Sequence, residues 1–263
     1  MSELIVPRRF RGPATSGNGG WTAGALAALV EARPDDRARR WPAVEVTLRR
    51  PPPLDVALPV ATTETSASCE VGDAAYVDRD LVVVESVPFE VARAAEASYP
   101  GLVSHPFPTC FSCGTGREPG DGLRIFPGQV ADSPSTTGDD AQRVAATWTP
   151  DASVAEDVVD DYPDETRRTS LPVTWAALDC VGGWAGDLNE RLMVLGRMTT
   201  QVDALPVIGE PHVLVGQRLG AEGRKTRTAA TLYDADGRIV ARAEHVWIAV
   251  DPTTFGVTSP EEG

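Results

Sequence analysis

Asn18-Gly-Gly-Trp-Thr-Ala-Gly-Ala-Leu-Ala-Ala-Leu-Val30 decides how this chain is read. Past its glycine pair the stretch is rich in Ala and Leu and free of proline, so residues 21–32 read as a helix capped by Ser16 or Asn18. Its apolar residues fall on most sides, which marks a buried helix rather than a surface one. Asn-Gly also opens many hairpins, but a hairpin needs alternation afterwards, and Ala23-Gly-Ala-Leu-Ala-Ala-Leu is helical. Downstream the texture changes to β-branched alternation at 44–48, 56–63, 74–77 and 81–84, with turns at Gly72-Asp73 and Asp78-Arg-Asp80. These are the strands of an antiparallel meander.

Working outward, the same order returns. Residues 89–97 hold a short helix and a proline-marked break follows, so a boundary is placed there. Strands are expected at 123–126 and 144–148, with polar and acidic tracts at 131–140 and 156–165 read as solvated loops. A second apolar helix over 171–188 leads into strands at 193–202, 212–219, 226–233 and 239–250, the last two joined by the hairpin turn Asp234-Ala-Asp-Gly237. Sliding the chain on itself by 152 residues lays the first helix on the second and Thr47 on Thr199. A shift of 163 aligns two Gly-Gly-Trp triplets but sends Thr47 onto Glu210 in a turn, and is rejected. The expectation is two similar halves, residues 1–100 and 101–263.

Composition narrows the function classes. With 263 residues, 42% hydrophobic and 24% charged, the chain is an ordinary folded protein. Its 24 Lys and Arg against 38 Asp and Glu leave a net charge of −14, the opposite of a nucleic-acid footprint, so no nucleic-acid partner is expected. The longest uncharged apolar run, near 23–30, falls well short of the roughly 20 residues a membrane helix needs, so no membrane association is expected. The first residues lack a basic start and an apolar core, which makes the cytoplasm the expected compartment. Four cysteines are too few for a disulfide scaffold.

Four segments, in order, carry a resemblance. Phe10-Arg-Gly-Pro with Asn18-Gly-Gly-Trp21 looks like the helix opening of N-terminal hotdog repeats in acyl-CoA thioesterases. Cys110-Phe-Ser-Cys-Gly followed by Gly122-Leu-Arg-Ile-Phe126 resembles the start of many single-hotdog thioesterases. Ala177-Leu-Asp179 and the hairpin from Leu232 to Ala243 resemble their central helix and last hairpin. The chain is thus similar to the hotdog-fold acyl-CoA thioesterase superfamily in its tandem form. The resemblance implies an α+β chain of two tandem hotdog domains (a double hotdog), each an antiparallel sheet wrapped around a central helix. It implies hydrolysis of acyl-CoA or acyl-carrier-protein thioesters, with coenzyme A as part of the substrate and no separate cofactor. A non-catalytic acyl- or CoA-binding protein is the alternative reading. Paired hotdogs often associate further, so a homodimer stays open.

Several residues are candidates for the site. Gly19 and Gly20 at a helix N-terminus leave backbone N–H groups unobstructed, which suits a thioester oxyanion; a plain cap is the alternative. Asp179 sits among apolar neighbours, where burial raises a carboxyl pKa toward a useful base, unless it faces solvent on one polar stripe. The single-hotdog family places its acid nine residues after a His-Gly-Gly. Here the halves divide that motif: nine after Asn18 is Ala27, and nine before Asp179 is Ser170, followed by Leu-Pro. One composite site, with Asn18, Gly19 and Gly20 from one helix and Asp179 from the other, is therefore expected beside one vestigial copy. Trp21 is taken as substrate-binding. Arg224, Lys225 and Arg227 form the densest basic cluster, either a grip on CoA phosphates or a solvated turn. Cys110-x-x-Cys113 lacks a second cysteine pair, with His105 the one nearby further ligand, so it reads as a tight turn and no metal is assigned; Cys69 and Cys180 read as packing residues. Neither Ser16 nor Ser170 lies in Gly-x-Ser-x-Gly, which argues against a serine hydrolase.

Overall fold

The computed structural model describes residues 2–30, 41–130, 143–156, 165–186 and 188–255. In the first half, β1 (Ser2–Leu4) and α1 (Gly19–Ala27) precede β2 (Trp41–Leu48), β3 (Leu58–Thr62), β4 (Ser66–Cys69) and β5 (Gly72–Tyr76). A connecting helix α2 (Phe89–Ala95) follows. The second half brings the short strands β6 (Gly128–Gln129), β7 (Arg143–Trp148), β8 (Ala155–Glu156) and β9 (Arg168–Thr169). It ends with α3 (Leu171–Ala185), β10 (Met193–Val202), β11 (His212–Glu222), β12 (Lys225–Tyr233) and β13 (Ile239–Ala249). Eleven of these strands form one sheet in the order β1-β3-β4-β5-β2-β10-β13-β12-β11-β7-β6, while β8 and β9 pair apart.

That order is near-symmetric about the β2–β10 seam. On one side stand β2, β5, β4, β3 and β1; on the other β10, β13, β12, β11 and β7. Helices α1 and α3 start at Gly19 and Leu171, and β2 and β10 at Trp41 and Met193, both pairs 152 residues apart. Across the antiparallel seam Val46 faces Met198, its own counterpart. Central pairing of two strands from different halves gives each an inner neighbour and removes an exposed edge from both.

The two helices lie side by side on the sheet and run in opposite directions. A Cβ on Gly20 would stand 2.5 Å from Asp179 Cβ, and one on Gly24 would stand 2.8 Å from Pro172 Cα. Only hydrogen fits at both crossings. Around them Leu26, Trp175, Leu178, Met198, Leu214 and Leu232 are fully buried, each aliphatic one contributing about 1.5–3 kcal/mol.

The structure departs from expectation in several places. Gly72 and Asp73 lie in β5, paired with Leu48 and Thr47, rather than forming a turn, and the short strands β1, β6, β8 and β9 were not expected. Helix α1 starts at Gly19 rather than Trp21, because the Asn18 side chain accepts from the Trp21 N–H and caps the turn there; residues 31 and 32 lie outside the described residues. Residues 81–84 join no strand: the Val82 N–H goes to Glu244 Oε1 and the Val84 N–H to Thr231 Oγ1, both at 2.9 Å. Residues 123–126 are likewise outside the sheet. Arg124 has φ 53°, which breaks a ladder, and the Leu123 and Ile125 N–H groups bond the Phe111 and Ser112 carbonyls instead. Strand β4 was not expected, because Ser-Ala-Ser-Cys carries no β-branched signal. The tract 131–140 and most of the acidic run 156–165 lie outside the described residues.

Candidate active site

Helix α1 begins with four N–H groups that have no partner inside the helix. The Trp21 N–H bonds Asn18 Oδ1 at 2.8 Å, and the Thr22 N–H closes the first helical bond to the Asn18 carbonyl. The Gly20 N–H donates at 2.9 Å to Asp179 Oδ2 on α3, and Asn18 Nδ2 donates to the same oxygen at 3.0 Å. Gly19 is left with an N–H that takes no partner among the described residues, and it lines the adjoining cavity. Gly20 therefore does not present its N–H to a ligand as expected: Asp179 takes it.

The carboxyl so held is 3% exposed. Its other oxygen, Oδ1, is buried with no hydrogen-bond partner among the described residues. Desolvation is the largest influence and pushes the pKa up from 3.8 to about 7; the Gly20 bond opposes it, Cys110 adds to it and the Asn18 bond opposes it. Two charge-assisted bonds of about 1.5–3 kcal/mol each do not offset burial here.

A loop from the second half closes the other side. Cys110 and Gly114 make a tight turn (2.9 Å), as the sequence suggested, and Ser112 within it donates to the Ala176 carbonyl at 2.7 Å and stands 3.2 Å from Asn18 Nδ2. Arg117 is 4% exposed and anchors the loop through the Thr109 carbonyl (2.7 Å), Asp121 Oδ2 (3.0 Å) and the Arg9 carbonyl (2.6 Å). Phe111 meets Phe10 edge-on, with Phe10 stacked on Trp21 at 4.4 Å. Trp21 is therefore a packing residue and does not line the cavity, contrary to expectation.

The cavity measures about 340 Å³ and is lined by Gly19, Asp179, Cys110, Cys113, Trp184, Leu195 and others of mainly apolar character. Arg49 and Arg50 also line it. A second depression of about 390 Å³ is lined by Lys225 and Arg227 and shares Leu48, Gly196 and Ile248 with the first. Arg224 lies in the same hairpin but does not line it.

No family model and no curated protein matches the sequence. Solved structures do. A Mycobacterium avium subspecies paratuberculosis tesB protein aligns over 94% of this chain and 91% of its own, with TM-score 0.55 and 12% identity. A Thermobifida fusca protein provisionally named thioesterase II aligns over 95% and 92%, with TM-score 0.53 and 13% identity. An Alicyclobacillus acidocaldarius protein of unknown function, described as having a hot dog fold, covers 95% and 93% at TM-score 0.50 and 12% identity. The chain has the hotdog fold. The likeness in fold covers nearly the whole chain, through shape rather than identity.

Within this hotdog chain, sequence reasoning brought Asn18, Gly20 and Asp179 to one place. It missed Ser112, Arg49 and Arg50, and it placed Cys180 in packing although the residue lines the cavity. The arginines follow directly on β2 and carried no motif; Ser112 reaches the Ala176 carbonyl, and Cys110 reaches Cys180, only because a loop and a helix cross, which no local pattern encodes.

Proposed function

We propose that the chain is a thioesterase of tandem hotdog architecture, residues 1–100 and 101–263, hydrolysing acyl-CoA or acyl-carrier-protein thioesters at one composite site. The observation that carries this reading is the meeting of Asp179 from the second half with the α1 N-terminus of the first, 2.9 Å apart. A separation beyond about 8 Å would have been too far for a shared water. The acyl chain lies in the apolar cavity, and the nucleotide lies outward toward Lys225 and Arg227 with Arg224 nearby.

Asp179 Oδ1 takes a proton from water as its oxygen attacks the thioester carbon, or attacks that carbon itself. The carbonyl oxygen, now negative, accepts from the Gly19 N–H. Collapse breaks the C–S bond. On the water route the departing thiolate recovers the proton that Asp179 took; on the direct route water then cleaves the acyl–Asp179 anhydride, restoring the carboxylate and giving its proton to the thiolate. Asn18 and Gly20 orient the carboxyl. The symmetry-related position carries no such chemistry: Gly20 corresponds to Pro172, which has no N–H to give, and Asp179 corresponds to Ala27.

A panel of acyl-CoAs of different chain lengths, assayed for thiol release, tests the reading. Wild type is expected to turn over some of them, with Asp179→Asn slower by about a hundred- to ten-thousand-fold. Unchanged hydrolysis by Asp179→Asn and Asp179→Ala would remove Asp179 from the reaction. Tight CoA-ester binding with no thiol release from wild type would make the chain a binding protein.

A further inference from the structure

Three of the four cysteines converge where the Cys110 loop meets α3. The sulfurs of Cys110, Cys113 and Cys180 all lie within 4.8 Å of one another, with Cys110 and Cys180 3.6 Å apart, and all three residues are buried. Three thiols packed merely as small apolar groups need no polar company. These have it. Asn18 Nδ2 stands 3.7 Å from Cys110 Sγ, and His105 Nε2 stands 3.4 Å from Cys113 Sγ. The Trp184 indole Nε1, also buried and without a hydrogen-bond partner, belongs to a ring lining the same cavity.

The spacing fits a metal. Zinc–sulfur bonds of about 2.3 Å at tetrahedral angles put neighbouring sulfurs about 3.8 Å apart, inside the 3.6 to 4.8 Å observed. Nor is His105 needed as a ligand. Its Nδ1 accepts from the Phe107 N–H at 2.9 Å, which leaves the hydrogen on Nε2, between the Cys113 carbonyl and sulfur. A histidine that donates to a ligating sulfur is the outer-shell support such centres use.

We propose that Cys110, Cys113 and Cys180 bind a zinc ion as three thiolates, with His105 and Asn18 as outer donors and the fourth position left to a water or a group in the cavity. Soft thiolates select zinc or copper(I) over magnesium and calcium. The ion would tie the loop to α3 and so hold Ser112, Asn18 and Asp179 in register. Local spacing could not show this, because Cys180 reaches the pair through the fold, 67 residues beyond Cys113 in the chain.

Metal content of the full chain, purified from zinc-supplemented cells under reducing conditions, tests the proposal independently of any hydrolysis. About one zinc per chain is expected by mass spectrometry, released as thiols are titrated with a mercurial. Cys110→Ser, Cys113→Ser and Cys180→Ser should each lose it, and Cys69→Ser, whose thiol lies elsewhere, should keep it. Should the variants not fold, cobalt added to the wild-type apo-protein gives the readout, with a thiolate-to-cobalt charge-transfer band expected. Metal-free protein without that band, copper in place of zinc, or a Cys110–Cys180 disulfide in the reduced preparation would each overturn the proposal.

Discussion

Asp179 shows how one residue type acquires a different chemistry from its surroundings. The sequence already pointed to it, as a lone acid among Trp175, Ala176, Ala177, Leu178 and Val181 that would be either buried with a raised pKa or turned to solvent on one polar stripe; the structure buries it. The sequence did not show that one oxygen would be held by two donors and the other by none. Gly20 is the residue that permits this approach. Its missing side chain leaves α1 close enough for an N–H to reach across, since a Cβ there would stand 2.5 Å from Asp179 Cβ and 2.9 Å from the Trp175 carbonyl. Gly20→Ala is therefore expected to destabilise by about 1–3 kcal/mol through overpacking, seen as a lower Tm, and to abolish most hydrolysis with it. Gly24→Ala, which crowds Pro172 and Trp175 away from the carboxyl, should lower Tm similarly while retaining most activity. Equal activity losses in the two variants would show that helix spacing alone, not the held carboxyl, is what matters.

At the scale of elements, α3 lies against a sheet that carries a buried histidine. Gly182 on the helix faces His245 on β13, whose ring is 2% exposed, and desolvation lowers its pKa from 6.5 to about 4. The folded pKa is depressed, so the stability tied to neutral His245 is full above pH 6.5, shrinks as pH falls through the window and is lost below about pH 4. Across that window it amounts to about 3 kcal/mol. The stability tied to Asp179, with its carboxyl pushed up to about 7, falls as pH rises through the same window and opposes this slope. Acid unfolding followed by circular dichroism should therefore show the His245 contribution as the difference between wild type and His245→Asn. An undiminished slope in that variant would assign acid sensitivity to other groups. The elements themselves were largely legible. Strands β10 to β13 and both helices follow from alternation, capping and the Asp234 turn. Residues 81–84 and 123–126 were not, because side chains and a loop, rather than neighbouring strands, take their N–H groups.

Across the whole molecule, the two halves meet along β2–β10 and at the α1–α3 crossing, and the proposed site uses groups from both. Residues 1–100 and 101–263 expressed separately should each be inactive in the thiol-release assay, and mixing them should restore some hydrolysis if each half folds. Activity in either half alone would refute a composite site. The basic hairpin is a second property of the assembled molecule, for Lys225 and Arg227 line a depression beside the cavity only once β2, β10 and β13 are in place. Neutralising Arg224, Lys225 and Arg227 together should raise KM for acyl-CoA by about tenfold, from three exposed contacts of about 0.2–1 kcal/mol each, and blunt its dependence on salt. A salt response identical to that of wild type would return the cluster to a solvated turn.

What the sequence determined by itself was the periodic layer: two apolar helices, each followed by strands, repeated 152 residues on, with the acid in one copy and the glycines in the other. Alternation, capping and turn chemistry are local, so they can be read locally. The tertiary structure decided which orphan donors meet which acceptors. It took the Gly20 N–H for Asp179 and moved Trp21 from ligand to core. It also brought Cys180 beside Cys110 and Cys113, because only the crossing of α3 with a loop from elsewhere in the chain sets those distances.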